Sequence, residues 1–410
     1  MADKKRILIV GGGFGGLFTA LGLAGSHDVT LVSDDDHFLF TPMLYELFSG
    51  EVESWQVAPY FEELLGNDVQ FIKGCVSSID FNKREAIIPG QNDVLTYDVL
   101  VIAVGGITNY WGIEGAKEFA IPFRKAEHAS ALRKRMVQAL DAVPPDAAPQ
   151  VARRALTFIV TGAGASGVEL STKMADLLRD AFTRRALKGE PRVMIVEMGD
   201  RVVPGMGDEI REYVEKALAK SRVEVHTLTK VNRVTPGTVV LEHDGQTEEL
   251  SVAGVVWNAG VRVNPLIDSL DLEKDKRGLV LIEPTLQTKH HSEVFVLGDA
   301  AVYPDANPRL VGTAQLALQE AGLAADNIKA LLAGRSLKTK HFQELGEAVS
   351  LGTSNAAVLV GEKAFGGPLA RDARFAMYTA RLPTWHHRLK VGASWFFGGT
   401  APRPLQPLGL

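Results

Sequence analysis

Cysteine is nearly absent: among 410 residues the only thiol is Cys75. One thiol excludes a disulfide, a CxxC pair and a multi-cysteine metal site within the chain, and the expected role of Cys75 is a buried structural one. Long apolar runs are missing as well. No stretch approaches the roughly 20 apolar residues that cross a bilayer, so the sequence predicts a soluble or membrane-peripheral protein. No signal peptide is visible, because Ala2-Asp3-Lys4-Lys5-Arg6 leads straight into the first apolar run. A basic excess is lacking too: the formal net charge is -5, which argues against a nucleic-acid partner. Glycine is plentiful, with 40 residues in a chain that is otherwise 46% hydrophobic and 23% charged. That composition suits a globular protein of two or three domains.

The glycines gather in two places that share one pattern. Ile7-Leu8-Ile9-Val10 is too short for a helix and rich in β-branched residues, so it reads as a buried parallel strand. It runs into Gly11-x-Gly13-x-x-Gly16 and then into the helical pattern Leu17-Phe18-Thr19-Ala20-Leu21. Gly11 permits the tight turn, Gly13 lets a pyrophosphate touch the backbone, and Gly16 lets the helix pack closely on the strand. The helix N-terminus then holds the phosphates. A second strand, Val29 to Val32, follows as a dinucleotide-binding unit requires. A ribose carboxylate normally closes that strand, but Ser33 stands there. Asp34, one residue on, is the candidate, while Asp35 and Asp36 read equally as a solvated acidic turn.

The pattern recurs. Thr157 to Thr161 runs into Gly162, Gly164 and Gly167, then into a helix from Val168, and the next strand, Arg192 to Val196, ends on Glu197. The interval from glycine to acid is longer here, and a basic insertion from Arg179 to Pro191 is the expected reason. Glu197 would hold a ribose and repel a 2′-phosphate, favouring NADH over NADPH. Two such units in one chain predict a flavin domain and an inserted nicotinamide domain, with the rings stacked for direct hydride transfer.

Further strands supply further candidates. Val252 to Trp257 ends in Asn258-Ala259-Gly260, expected to wall the nicotinamide side. Val99 to Ala103 is closed by Gly105, and Val294 to Leu297 delivers Asp299 at a glycine turn. In these stretches the chain resembles the two-dinucleotide flavoprotein reductases, over about residues 5 to 330. The resemblance implies that Asp299 bonds the ribityl chain of FAD and that the strand ending at Gly105 returns to the FAD domain. Disulfide reductases need a cysteine pair beside the flavin, and sulfide:quinone oxidoreductases need several cysteines. With Cys75 alone, electrons go from NAD(P)H to flavin and straight to an acceptor.

The acceptor signal is Gly312-Thr313-Ala314-Gln315-Leu316-Ala317-Leu318-Gln319, opening a helix that continues to about Leu332. Gln315 and Gln319 share one helical face, and Ala314 and Ala317 leave room for a cofactor or substrate to approach. The motif resembles the AQxAxQ quinone motif of type II NADH:quinone oxidoreductases. Phe40-Thr41-Pro42-Met43-Leu44 is similar to a second segment of that family, with Pro42 at the first turn of a helix that either lines a flavin or fills the core. Pro42 through Val52 looks like the plant and cyanobacterial branch that reduces demethylated naphthoquinones. The resemblance further implies that Glu169, in the second glycine loop, handles protons near flavin and quinone. A carboxyl packed against apolar surface should have a raised pKa, as that role needs.

The segment Ala376 to Phe397 mixes cations with Trp, Tyr and Phe. After Pro383 it reads as a short amphipathic helix, suited to a membrane interface or to a homodimer contact, and the tail from Gly398 reads as irregular. The expected architecture is α/β, a tandem Rossmann-like, glutathione-reductase-like flavoprotein. Its FAD domain covers 1–115 and 288–335, its NADH domain 116–287, and a membrane-facing region 336–410. The expected function is non-pumping NADH:quinone oxidoreduction at the cytoplasmic face of a membrane. Two alternatives stand beside it: a reductase of a soluble acceptor such as ferredoxin or rubredoxin, and a redox-sensing protein like the apoptosis-inducing flavoproteins.

Overall fold

The opening apolar run forms the strand Arg6–Val10, with all four apolar residues buried. In the computed structural model, which describes residues 4–90, 94–303, 310–361 and 363–405, this strand is the centre of a five-stranded sheet. The order is Val294–Val296, Val99–Ile102, Arg6–Val10, Asp28–Ser33, Val69–Lys73. Every pairing is parallel, and Ile9 stands opposite Leu31 on one side and Val101 on the other. Parallel strands need both faces covered, which explains why they read as unbroken apolar runs.

A second sheet repeats the first. Its order is Ile121–Pro122, Gly254–Trp257, Thr157–Thr161, Arg192–Val196, Glu224–His226, again all parallel. In both, the glycine-bearing strand is central and the next strand in sequence lies on one side of it. Ligands of such sheets bind at the carboxyl ends of the strands, where the connections diverge.

The helices that matter to the site are, in chain order, α1 (Phe14–Leu23), α2 (Leu44–Ser49), α3 (Ala126–Asp141), α4 (Ala165–Arg184), α5 (Ala314–Leu332), α6 (Pro368–Thr379) and α7 (Trp385–Gly398). The chain divides into two compact units. The first comprises Met1–Phe40, Ala58–Ile107 and Val261–Leu345, and the second Thr41–Val57, Thr108–Gly260 and Gly346–Leu410. In the first unit α1 packs closely on α5: a Cβ added at Gly22 would come within 2.8 Å of the Ala325 methyl, and Ala20, Ala321, Ala324 and Ala325 are all buried. In the second, the antiparallel strands Glu347–Ser350, Ala356–Val360 and Lys363–Gly367 precede α6.

Three expectations need correction. Cys75 is exposed, not a buried structural thiol. It lies just past the strand Val69–Lys73, where its neighbour Val76 is buried and Cys75 faces outward. The stretch from Arg179 is not an insertion after the helix: α4 itself runs to Arg184, twice the length of α1. Leu177, Leu178, Ala181 and Phe182 keep its apolar face buried that far. Gly398 closes α7 instead of opening the irregular tail. The tail is described to residue 405, and Pro407 lies outside the described residues.

Candidate active site

The two glycine loops have nearly the same geometry. Gly11 (φ +108°) and Gly162 (φ +87°) adopt backbone that L side chains rarely reach. Each donates its N–H to the second strand, Gly11 to Val32 O and Gly162 to Val196 O, both at 2.8 Å. A Cβ at Gly16 or Gly167 would strike the carbonyl oxygen of the first glycine, so the helix sits as close as backbone permits. Gly13 and Gly164 are the residues that precede α1 and α4, and neither supplies a side-chain cap. A Cβ added to either would meet nothing within 4 Å. Each helix therefore begins without a side-chain cap beside a glycine whose side-chain position is open, an arrangement a pyrophosphate would fit.

The ribose candidates differ. Glu197 ends its strand with both oxygens engaged: Oε2 accepts from Ala163 N and Oε1 from Gly199 N, each at 2.7 Å. This fixes a carboxylate beside the second glycine loop. In the first unit the strand ends on buried Ser33, whose hydroxyl lies against Gly12, while Asp34 is exposed beyond it. Asp36 is occupied elsewhere: its carboxyl takes hydrogen bonds from Lys73 at 2.7 Å and His37 at 2.9 Å, which hold it down to about 2. Gly260 (φ +96°) follows the strand Gly254–Trp257 and is covered by the Trp111 indole, whose Nε1 donates to Ala259 O at 3.0 Å.

The first unit also brings Asp299 to the start of α5. Asp299 sits half-buried in the short turn Gly298–Ala300, and Gly105 (φ +65°) follows the neighbouring strand. Glu320, which sequence reasoning passed over, lies under that turn and accepts from Gly298 N at 2.7 Å. Burial, with Asp299 close by, pushes its carboxyl up to about 7. α5 begins at Ala314 after Thr313, whose hydroxyl accepts from Leu316 N. Both glutamines grip backbone. Gln319 brackets Gln343, donating to its carbonyl at 2.9 Å and accepting from its N–H at 3.1 Å, and Gln315 Oε1 accepts from Leu345 N at 3.0 Å. They hold residues 343–345 along the first turns of α5.

The second unit holds Glu169 in a buried ionic cluster. All six residues of α2 are buried, and with Met43 before them they form core in this unit, while Pro42 is half-buried at its edge. Gly50 (φ +75°) turns the chain back at the end of α2, letting Glu51 N donate to Glu46 O. Glu169 Oε1 accepts from Ser350 N at 2.8 Å and from Arg374 Nη2 at 2.9 Å, leaving Oε2 for a proton. Arg374 also donates to Glu46 Oε1 and to Pro42 O, each at 2.8 Å. Burial pushes Glu169 up to about 7 against the pull of Arg374. Glu46 is equally buried, yet the charges of Arg374 and Lys173 hold it down to about 2. Two carboxyls in one cluster are thus set apart, the pattern that separates acid from base roles. Glu46 and Arg374 were invisible as site residues because 328 positions separate them.

Two strand–glycine–helix loops of matching geometry, in a chain with a single exposed thiol, are the architecture of an oxidoreductase of the two-dinucleotide class. Residues 5–321 match the family of pyridine nucleotide-disulphide oxidoreductases. The chain is 35% identical to demethylphylloquinone reductase NdbB of Synechocystis over 408 residues, covering 96% of both chains. It is 31% identical to the type II NADH:quinone oxidoreductase NdhA of Mycobacterium tuberculosis, covering 96% of this chain and 87% of that one. The fold is similar to that of NDH2 from Plasmodium falciparum solved with NADH, with a TM-score of 0.85 at 17% identity over 98% of this chain and 100% of that one. The chain belongs, within that family, to the type II NADH:quinone oxidoreductases.

Proposed function

We propose that this chain oxidises NADH with FAD as its resident cofactor and reduces a naphthoquinone at a membrane surface. The observation that carries the reading is the pair of matching cradles, Gly11–Gly13–Gly16 and Gly162–Gly164–Gly167, in a chain that cannot form a redox disulfide. The first cradle with Asp299 and Ala314 would hold FAD, and the second with Glu197 and Gly260 would hold NADH. When bound, FAD accepts a hydride from NADH and yields two electrons to the quinone. Gln315 and Gln319 shape the quinone's approach by fixing residues 343–345, and Glu169 Oε2 carries a proton for the quinol. The naphthoquinone assignment follows the demethylphylloquinone reductase and the segment Pro42 to Val52. Steady-state NADH oxidation should be fastest with a naphthoquinone, slower with a benzoquinone, and negligible with ferredoxin. Preference for ferredoxin would refute the reading.

The ribose carboxylate gives a specificity test. Glu197→Ser removes the negative charge that a 2′-phosphate would meet, so the ratio of kcat/KM for NADPH over NADH should rise by at least about tenfold. An unchanged ratio would remove Glu197 from the nucleotide site.

The membrane reading rests on α7. No helix among the described residues is long and apolar enough to cross a bilayer. Yet Trp385 and Leu389 are each 64% exposed, and Phe396 and Phe397 are 83% and 84% exposed. Thr384 caps the helix by accepting from His387 N, while buried His387 and Val391 anchor its other face. Arg388 and Lys390 place cations among these exposed apolar groups, as an interfacial helix does. Phe396→Ser with Phe397→Ser should lower binding to anionic vesicles by at least about tenfold while activity on a water-soluble quinone persists. If vesicle binding is unchanged and a dimer dissociates, the face serves the homodimer instead.

A further inference from the structure

Lys173 stands out because its ammonium group is fully buried yet has three acceptors for its three protons. It contacts Glu46 Oε1 at 3.2 Å, Glu51 Oε2, and Gly352 O at 3.2 Å. It lies one helical turn from Glu169 on the same face of α4. Around it the second unit buries three carboxylates, Glu46, Glu51 and Glu169, and pairs them with Lys173, Arg371 and Arg374. The cluster is neutral only while Glu169 is ionised. With Glu169 protonated it carries one excess positive charge.

Arg374 is the shared member. One terminal nitrogen serves Glu46, the other serves both Pro42 O and Glu169, and its Nε is buried without a partner. Glu46 Oε2 is likewise buried and unpartnered. The pair is therefore a single contact in place of a two-bond fork, and Glu46 and Glu169 compete for one guanidinium. Whatever neutralises Glu46 leaves more of the Arg374 charge to Glu169, and Lys173 is placed to do so. Glu51, the other partner of Lys173, is balanced from its far oxygen by Arg371, which donates to Oε1 at 2.8 Å.

We propose that Lys173 is a positioning residue for proton delivery: by neutralising Glu46 it assigns Arg374 to Glu169 and sets how readily that carboxyl keeps its proton. The proposal rests on the reading of Glu169 as the proton carrier. The other groups facing Glu169 are Tyr45 and Glu46 of α2, Arg374 and Tyr378 of α6, and the Ser350 N–H. Neither tyrosine is poised to titrate near neutrality, since burial raises both. Swings in the charge felt by Glu169 therefore come from Glu46, Lys173 and Arg374.

The test is an infrared titration of the purified, cofactor-loaded protein, following the carbonyl stretch of protonated Glu169, assigned by its loss in Glu169→Gln. Glu320→Gln identifies the other buried carboxyl that titrates in the same range. Lys173→Met should move the Glu169 midpoint upward by at least about one pH unit, and Glu46→Gln should move it downward, because the competitor for Arg374 is gone. Lys173→Arg should restore the original midpoint. Should Lys173→Met fail to fold, Lys173→Met with Glu51→Gln removes one charge of each sign and should still shift upward. The alkaline limb of quinone turnover should follow each midpoint.

Opposite shifts in the lysine and glutamate variants are what loosened packing cannot produce. Midpoints that stay put, or move the same way in both, overturn the proposal. Midpoints that move as expected without the turnover limb overturn Glu169 as the proton carrier, and with it the part of Lys173 in delivery.

Discussion

Glu169→Gln is expected to slow quinone-driven reoxidation of the NADH-reduced protein by about a hundredfold, with NADH-driven reduction within about twofold of the original rate. The asymmetry follows from position. Glu169 lies past the glycine loop on the first turns of α4, and its Oε1 is bonded to Ser350 N and Arg374. Glutamine preserves the acceptor on Oε1, so the fold loses little, but nothing remains at Oε2 to release a proton. The pH dependence carries the same sign. A donor must be protonated, and Glu169 is protonated below about 7. Quinone turnover should be full at lower pH and fall as pH rises through that value, and the limb should vanish in the variant. Equal slowing of both half-reactions would show a damaged fold, and no slowing would remove Glu169 from the chemistry.

The second large effect separates the two cradles. Gly16→Val should give a protein that purifies without yellow colour, because the side chain would strike the Gly11 carbonyl and push α1 off its strand. Gly167→Val makes the same collision with Gly162 in the other unit. It should leave the protein yellow while raising the KM for NADH by at least about a hundredfold, as overpacking at this contact costs about 1–3 kcal/mol and the phosphate contacts are lost with it. Visible absorbance and NADH titration read the two results independently. If both variants lose colour, or neither does, the division of labour between the glycine loops is wrong.

The strand–glycine–helix geometry of both loops was legible in the sequence because each is local. A strand, three glycines and a helix lie within about a dozen residues, and backbone geometry leaves few other uses for glycine at those spacings. The exposure of Cys75 shows the limit of composition: a lone thiol's burial depends on which way one residue beyond a strand end faces. The glutamine pair stands out in the sequence, but its hydrogen bonds do not, since they run to residues 343–345, a segment without periodicity of its own. Glu320 directly follows the glutamine motif, and only the fold shows that it supports the turn carrying Asp299. The ionic cluster was the least accessible. Glu46, Lys173 and Arg374 each read as an ordinary charge in sequence, and only the doubling back at Gly50 and the packing of α6 make them neighbours.

Everything returns to electrons passing from a bound nicotinamide through a flavin to a quinone with no thiol between. The most direct measurement is a pair of anaerobic half-reactions on the purified protein. NADH should bleach the flavin absorbance in one turnover, and a naphthoquinone added afterwards should restore it at a rate that supports steady-state turnover. A colourless protein, or a bleached one that a naphthoquinone leaves reduced while ferredoxin reoxidises it, would contradict the account.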